Sequence, residues 1–187
     1  GIGPMMEAAR MIAKSGAKPK RTILFIGFAG EEFGLLGAQA WVKAHKDKLP
    51  KIANLFNRDG GPEPPVGISV PQAMYDDFVK ISEPIQKIRP DYPFEVKVRE
   101  PRKRPTRMGG TDASVFAIEG VPTLGFTTED FKGYDFDYGE IWHTERDLYT
   151  KNIPEYQEHT ATVTAIIALG VANLDKQLSR EGLYTEE

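Results

Sequence analysis

The order of hydrophobic and polar positions along the chain predicts helices that alternate with short strands. Residues 5–13 place apolar side chains at helical spacing, and a serine, a glycine and a proline then end the helix. Residues 22–28 (TILFIGF) form a short apolar run rich in strand-favouring residues, which indicates a buried parallel strand. The same criteria predict helices at 33–45, 72–88, 112–118 and 152–178, and strands at 52–56, 67–70, 94–98 and 122–126.

This alternation predicts the α/β fold class, as a three-layer sandwich with a mainly parallel central sheet. The 187 residues contain no internal repeat, no low-complexity segment and no linker that would divide the chain. We therefore expect residues 1–187 to form a single domain with one hydrophobic core.

Composition narrows the classes of function. The chain is 40% hydrophobic and 27% charged, which is typical of a soluble globular protein, and its net charge of −3 predicts no general attraction to nucleic acid. No apolar run approaches the length of a membrane span, so we expect no membrane partner. The absence of cysteine excludes disulfides, thiolate metal ligands and cysteine nucleophiles.

One short segment is strongly basic. Residues 97–107 (KVREPRKRPTR) contain two prolines and lack the interleaved aromatic residues of a nucleic-acid-binding face. We interpret the segment as a solvated loop. The alternative is that one of its arginines reaches the substrate pocket and binds a carboxylate.

Polar residues follow the predicted strands where a site would form. Glu31 and Glu32 follow the first strand, Asp59 follows the second, and Asp112 and His143 come later in the chain. Sites in open α/β sheets lie at the carboxyl ends of strands, and this set of side chains suits zinc better than calcium. Each has a simpler explanation, since carboxylates favour the start of a helix, aspartate favours turns, and a histidine in a charged loop can be an ordinary surface residue.

Four segments together carry a family resemblance. In chain order they read RTILFIGFAGEEFGLLGAQAWV, NLFNRDGG, GGTDASVFAIEGVPTLGF and IWHTERD. They resemble the zinc-dependent exopeptidases of the M28 family, and GGTDASVF is similar to the branch that contains plasma glutamate carboxypeptidase. The resemblance covers nearly the whole chain and implies the zinc-exopeptidase fold.

The resemblance also implies roles for matching positions. Glu31 matches the general acid/base, Glu32 and His143 match two ligands of one zinc, and Asp59 matches a ligand of a second zinc. Asp112 matches the aspartate of a Ser/Thr-Asp motif, which we interpret as supporting the site without binding metal. The aromatic loop at 131–142 is expected to line a pocket for a peptide or dipeptide.

The resemblance implies ligands that this sequence does not contain. A His-x-Asp motif and a metal-bridging aspartate precede the helix that matches residues 5–14 in the family. We therefore expect the chain to be the C-terminal portion of a metallopeptidase catalytic domain, with a site for two zincs that is incomplete by itself. Strands absent from the sheet would leave apolar surface exposed, which predicts self-association or pairing with the missing N-terminal region.

The implied function is metal-dependent hydrolysis of N-terminal peptide bonds, by an aminopeptidase or a dipeptidase, in a secreted or periplasmic protein. Two alternatives stay open at this point. A glutaminyl cyclase shares the fold and uses one zinc, and a non-catalytic binding domain keeps the fold without metals.

Overall fold

The computed structural model describes residues 1–185, in which helices surround a small mixed sheet. Three 3-10 turns, at Lys46–Lys51, Gln72–Met74 and Tyr149–Lys151, connect the elements. In chain order, the helices and strands of the described residues are α1 (Ile2–Lys14), α2 (Leu36–Ala44), β1 (Pro65–Val70), α3 (Tyr75–Ile88), β2 (Glu95–Val98), α4 (Ala113–Ile118), β3 (Phe126–Thr128), α5 (Tyr138–Ile141) and α6 (Pro154–Asn173).

The sheet has the order β2-β1-β3, with β1 parallel to β2 and antiparallel to β3. Strand β1 is at the centre, and its Ile68 and Val70 are buried in the main core together with apolar residues of α3 and α6. The α/β fold class is confirmed, and the assigned strands combine one parallel pair with one antiparallel pair.

Helix α6 organises the largest part of the structure, because α1, α3 and β1 all pack against it. Its buried surface includes threonines as well as apolar residues. The hydroxyls of Thr160 and Thr162 donate to the carbonyls of Tyr156 and Glu158, four residues earlier, whereas the buried hydroxyl of Thr164 has no partner within residues 1–185. A second, smaller core joins α2 to α4 through Ala38, Val42 and Phe116.

Two predicted strands are wrong for the described residues. Residues 22–28 and 52–56 have no regular secondary structure, and neither is part of a strand ladder. At 52–56 the Leu55 N–H donates to the Pro122 carbonyl, and the side chain of Asn54 pairs with the backbone of Leu124. These isolated bonds do not form a ladder, because a strand also requires a neighbour with matching register along its length.

Two further predictions differ from the structure. Of the strand predicted at 122–126, only Phe126 lies in a strand, because β3 covers Phe126–Thr128. Helix α6 ends at Asn173 instead of 178. Residues 174–185, which follow α6, contain no helix or strand, although Leu178 and Leu183 pack into the main core. None of the helices in residues 1–185 combines the length and the apolar character that crossing a membrane requires.

Candidate active site

An open cleft of about 1390 Å³ contains four of the five candidate residues. Glu31, Glu32, Asp59 and His143 all line it, although they come from three separate parts of the chain. Asp112 does not line the cleft, but Thr111 and Ala113 on either side of it do. The structure therefore brings the predicted site residues to one place.

A tight turn before α2 presents the two glutamates. The Glu31 carbonyl accepts from the N–H groups of Gly34 and Leu35, at 2.9 and 2.8 Å. Gly34 has a φ of +100°, a conformation that glycine adopts without strain. At Gly37 a Cβ would lie 2.6 Å from the Ala29 carbonyl oxygen, so only a glycine allows the backbone at position 37 to pass this close to Ala29. Gly34 and Gly37 thus permit the backbone path of the turn that carries the two glutamates.

His143 lies directly after α5 and faces Glu32. Its Nε2 is 3.1 Å from Oε1 of Glu32, and the two side chains are 56% and 64% exposed. The backbone of His143 has a φ of 56°, which is uncommon for a residue other than glycine. The hydroxyl of Thr144 donates to the Glu140 carbonyl at 2.8 Å and holds the turn from the other side. Strained backbone of this kind is concentrated at functional sites.

Asp59 lies in the loop between residues 56 and 62. The neighbouring Arg58 folds its guanidinium back onto this loop, where Nη2 donates to the carbonyls of Gly61 and Glu63. Burial raises the pKa of Asp59, and the charge of Glu32 raises it further, while the terminal amino group of Gly1 and Arg58 act in the opposite direction. The carboxylate is therefore partly desolvated and close enough to Glu32 to interact with it.

Glu31 has no hydrogen-bond partner assigned to its side chain in the described residues, in contrast to Glu32. Partial desolvation raises the pKa of Glu31, and the charges of Asp59, Glu32 and Asp112 add to the increase. The charge of His143 opposes it. A carboxylate with a raised pKa is better suited to accept and return a proton near neutral pH.

Asp112 precedes α4 and is buried. Its Oδ1 has no hydrogen-bond partner within residues 1–185. Burial raises the pKa of Asp112, and the charge of Asp59 raises it further. Because Asp112 is buried while Thr111 and Ala113 line the cleft, it lies behind the cleft wall.

The donor types fit zinc, but their number is small. A carboxylate oxygen and an imidazole nitrogen, as in Glu32 and His143, are ordinary zinc ligands. The part of the chain that the structure describes contains no group of three or more histidine, cysteine or acidic side chains that could hold a metal ion. Glu32 and His143 by themselves could therefore supply only part of the ligand set of a zinc ion.

The aromatic loop lines the cleft with its second half only. Tyr138, Ile141 and Trp142 contribute to the wall, and the rings of Tyr138 and Trp142 are stacked at 6.3 Å. In the first half, Phe131 packs against Tyr92 and Tyr156, away from the cleft.

Two arginines of the basic segment donate hydrogen bonds to other parts of the protein. Arg104 donates to the Ile118 carbonyl, and Arg102 donates to the Thr123 hydroxyl at 3.0 Å. In the described structure none of residues 97–107 lines the cleft. The alternative interpretation, an arginine of this segment in the pocket, therefore has no support in the structure.

Sequence reasoning missed two cationic residues of the cleft wall, Arg58 and Lys151. Arg58 could have been noticed as the neighbour of Asp59. Lys151 carries no local signal, because only folding brings the 3-10 turn before α6 to the cleft.

Comparison with known proteins identifies relatives of the chain. The family model described as peptidase family M28 matches residues 1–167. Carboxypeptidase Q of Mus musculus is 24% identical over 179 residues, which cover 93% of this chain and 34% of that protein. A probable zinc metalloprotease of Phaeosphaeria nodorum is 42% identical over 59 residues, which cover 32% of this chain and 12% of that protein.

Solved structures show the same architecture. A peptidase M28 precursor from Shewanella amazonensis superposes with a TM-score of 0.73 at 26% identity, covering 96% of this chain and 38% of that chain. An aminopeptidase from Aneurinibacillus sp. strain AM-1 has a TM-score of 0.60 at 19% identity, covering 95% and 39%. The chain spans about a third of the length of curated relatives such as carboxypeptidase Q.

Proposed function

Because the chain belongs to peptidase family M28, we propose that it hydrolyses the N-terminal peptide bond of peptides, as an aminopeptidase or dipeptidase, with zinc as its cofactor. The contact that carries this proposal is the 3.1 Å separation of Glu32 Oε1 and His143 Nε2. These side chains are 111 positions apart in sequence and meet beside Glu31 in one cleft. The aminopeptidase neighbour among the solved structures supports the same assignment.

Zinc would be held by the residues that have suitable donors. Glu32 and His143 would hold one ion, and Asp59 would bind a second. A catalytic zinc site normally has three protein ligands, so a complete site needs donors beyond these. When bound, zinc supplies a Lewis acid that polarises the peptide carbonyl and stabilises negative charge on its oxygen.

Glu31 would move the proton in this reaction. Its carboxylate accepts a proton from the attacking water, whose oxygen forms the new bond to the peptide carbon. The same proton then passes to the nitrogen of the leaving amine as the carbon–nitrogen bond breaks. The raised pKa of Glu31, caused by desolvation and neighbouring carboxylates, supports this role because it makes the carboxylate a stronger base toward the attacking water.

The test combines zinc content with turnover. We expect the protein, after zinc loading and desalting, to retain zinc by elemental analysis and to cleave leucine p-nitroanilide and unblocked dipeptides. Glu31→Gln should retain the same zinc content and lose at least about 100-fold in kcat, since it keeps the shape of the side chain and removes the base.

Other outcomes would replace the proposal by a named alternative. Equal cleavage of N-acetylated peptides would contradict the requirement for a free amino terminus. Cyclisation of an N-terminal glutamine, without peptide hydrolysis, would favour the glutaminyl cyclase. Failure to bind zinc or to cleave any peptide would favour a peptidase-like binding domain.

The cellular location is a separate part of the proposal. We propose a secreted or periplasmic location from the family resemblance alone. Fractionation of the source cells, followed by immunoblotting, would test it, and recovery with cytoplasmic markers would contradict it.

A further inference from the structure

The cleft adjoins a second cavity, and one lysine belongs to both. The second cavity has a volume of about 500 Å³, and Lys151 and Asn152 line it as well as the cleft. Lys151 is the last residue of the 3-10 turn before α6. The cleft is larger than the about 300–1,000 Å³ that is usual for a small-molecule site, so a di- or tripeptide could fit there.

The cationic side chains of these walls differ in what they can still bind. Arg58 and Lys151 are the lysine and arginine residues that line the cleft in the described structure. The Arg58 guanidinium donates to the carbonyls of Gly61 and Glu63 and thereby stabilises the loop to which Arg58 belongs. Within residues 1–185, Lys151 has no assigned bond to backbone carbonyls. It is therefore the better candidate for binding an anionic group of a substrate.

Lys151 is held in place and still accessible. Its Nζ lies 2.7 Å from Oε2 of Glu140, and the two side chains are 36% and 34% exposed. An ammonium group has three N–H donors, so the bond to Glu140 leaves two for water or a ligand. Glu140 belongs to α5, which the buried Ile141 anchors to the protein. The ion pair thus fixes the ammonium at the cleft wall before a substrate arrives, which lowers the entropy lost on binding.

We propose that Lys151 binds the C-terminal carboxylate of the substrate, and that short peptides with a free carboxylate are the preferred substrates. The inference rests on the proposed function and specifies its substrate class. An ammonium that donates to a carboxylate forms a charge-assisted hydrogen bond, which is stronger than a bond between neutral groups. Lys151 is a binding residue in this scheme and takes no part in the proton transfer at Glu31.

The test compares the dipeptide Ala-Leu with its C-terminal amide, Ala-Leu-NH₂, on the zinc-loaded protein. We expect kcat/KM to be about tenfold higher for the acid than for the amide, since a charge-assisted bond at a partly exposed site is worth about that factor. The same preference should appear as a ratio of dissociation constants when both compounds are titrated by calorimetry into Glu31→Gln, so that turnover is not required.

The variants must remove the ammonium without leaving an unpaired carboxylate. Lys151→Met alone would leave Glu140 to repel the substrate, so the informative variant is E140Q/K151M, and we expect it to lose the preference for the acid. Glu140→Gln alone should retain the preference, and Lys151→Arg should restore most of it because the cation is kept. Near-UV circular dichroism of each variant checks that α5 and the cleft remain folded.

Failure of this inference can be distinguished from failure of the proposed function. Equal kcat/KM for acid and amide in the wild type, or a preference that persists in E140Q/K151M, would overturn the role of Lys151 while the peptidase activity stands. Absence of turnover with both compounds would contradict the proposed function. In that case calorimetry tests the role of Lys151 separately. Equal dissociation constants for the acid and the amide would overturn that role, and a preference for the acid that depends on Lys151 would support it.

Discussion

Adjacent glutamates at the end of an apolar segment differ in what surrounds each of them. Glu32 contacts the imidazole of His143, whereas the side chain of Glu31 has no assigned hydrogen-bond partner in the described residues, and desolvation together with the charges of nearby carboxylates raises its pKa. The two adjacent carboxylates therefore differ in environment, since only Glu32 has a basic partner among the described residues. This difference is compatible with the proposed roles of Glu32 in metal binding and of Glu31 in proton transfer.

Zinc affinity should reveal whether Glu32 and His143 act as a pair. We expect Glu32→Gln and His143→Asn each to weaken zinc binding at least about tenfold, and the double variant to lose little more than either one, because two ligands of one ion depend on each other. Titration against a competing chelator measures these affinities. His45→Gln is the control, since His45 stacks on Trp41 away from the cleft and should leave zinc affinity unchanged.

Fully additive losses of affinity in that series would contradict a shared ion. Unchanged zinc affinity in both single variants would instead indicate that the Glu32–His143 contact is a surface ion pair, which stabilises proteins only slightly.

His159 should make the stability of the protein depend on pH. It is fully buried, stacked on Tyr92, and its Nε2 bonds to the Pro65 carbonyl. Burial lowers the pKa of His159 to about 4, so the folded state keeps the ring neutral where the unfolded chain binds a proton. The unfolded state therefore takes up more protons between about pH 6.5 and pH 4, and the free energy of unfolding falls as pH decreases through this window.

The expected decrease across that window is about 3 kcal/mol, and it should level off below pH 4. Urea denaturation at intervals between pH 7 and pH 4 measures it. His159→Gln keeps a donor for the Pro65 carbonyl and cannot be charged. The decrease in its free energy of unfolding over this window should therefore be smaller than that of the wild type by about that amount. An equal pH dependence in both proteins would show that other groups are responsible.

At the scale of elements, the packing of α6 against α3 requires a glycine. A Cβ at Gly170 would lie 2.4 Å from Cγ2 of Ile81, a side chain that is itself buried. We expect Gly170→Ala to lower the free energy of unfolding by about 1–3 kcal/mol, because the two helices cannot approach as closely. Gly3→Ala in α1 is the matched control, since nothing lies within 4 Å of its Cβ position, and it should be neutral or stabilising by less than about 1 kcal/mol.

Urea denaturation of the two alanine variants would check this comparison. A Gly170→Ala protein as stable as Gly3→Ala would mean that α3 moves away from α6 at little cost.

The helices could be predicted from the sequence better than the strands. Amphipathic periodicity is a local signal, and the helices α1, α3 and α6 lie where it places them, apart from shifts at their ends. The apolar runs at 22–28 and 52–56 signal burial or pairing, but the sequence of a run does not specify its neighbour. Strand pairing is a non-local property, which explains why these two predictions are wrong for the described residues.

The residues of the candidate site also divide into those that the sequence could predict and those that it could not. Glu31, Glu32, Asp59 and His143 could be grouped from the sequence because the order of their motifs resembles that of one family. They line one cleft, although the apolar runs before Glu31 and Asp59 are not in strand ladders. Lys151 could not be found in this way, because its position at the cleft depends on how the turn before α6 packs. Its bond to Glu140 joins residues that are close in sequence, but nothing in the sequence says that they face a cavity.

At the scale of the whole molecule, the most unusual feature is the surface of residues 22–28. Leu24 is 65% exposed, and the neighbouring Phe25 and Ile26 are also exposed, although the composition of this segment is that of a core strand. Its backbone has no ladder partner among residues 1–185. Extended apolar segments with unpaired backbone groups tend to pair with another chain.

Sedimentation should therefore detect association of the purified protein. We expect a weight-average mass above the 20.8 kDa of one chain at concentrations of about 10 μM, and a shift toward that value when Leu24 and Ile26 are both replaced by lysine. Lysines on an unpaired edge oppose pairing because their charges would have to be desolvated or repel each other. Val79→Lys on α3 is the control for added charge at another exposed apolar position, and it should leave the association unchanged. A wild-type protein that sediments as a single species of 20.8 kDa would show that this surface is stable in water without a partner.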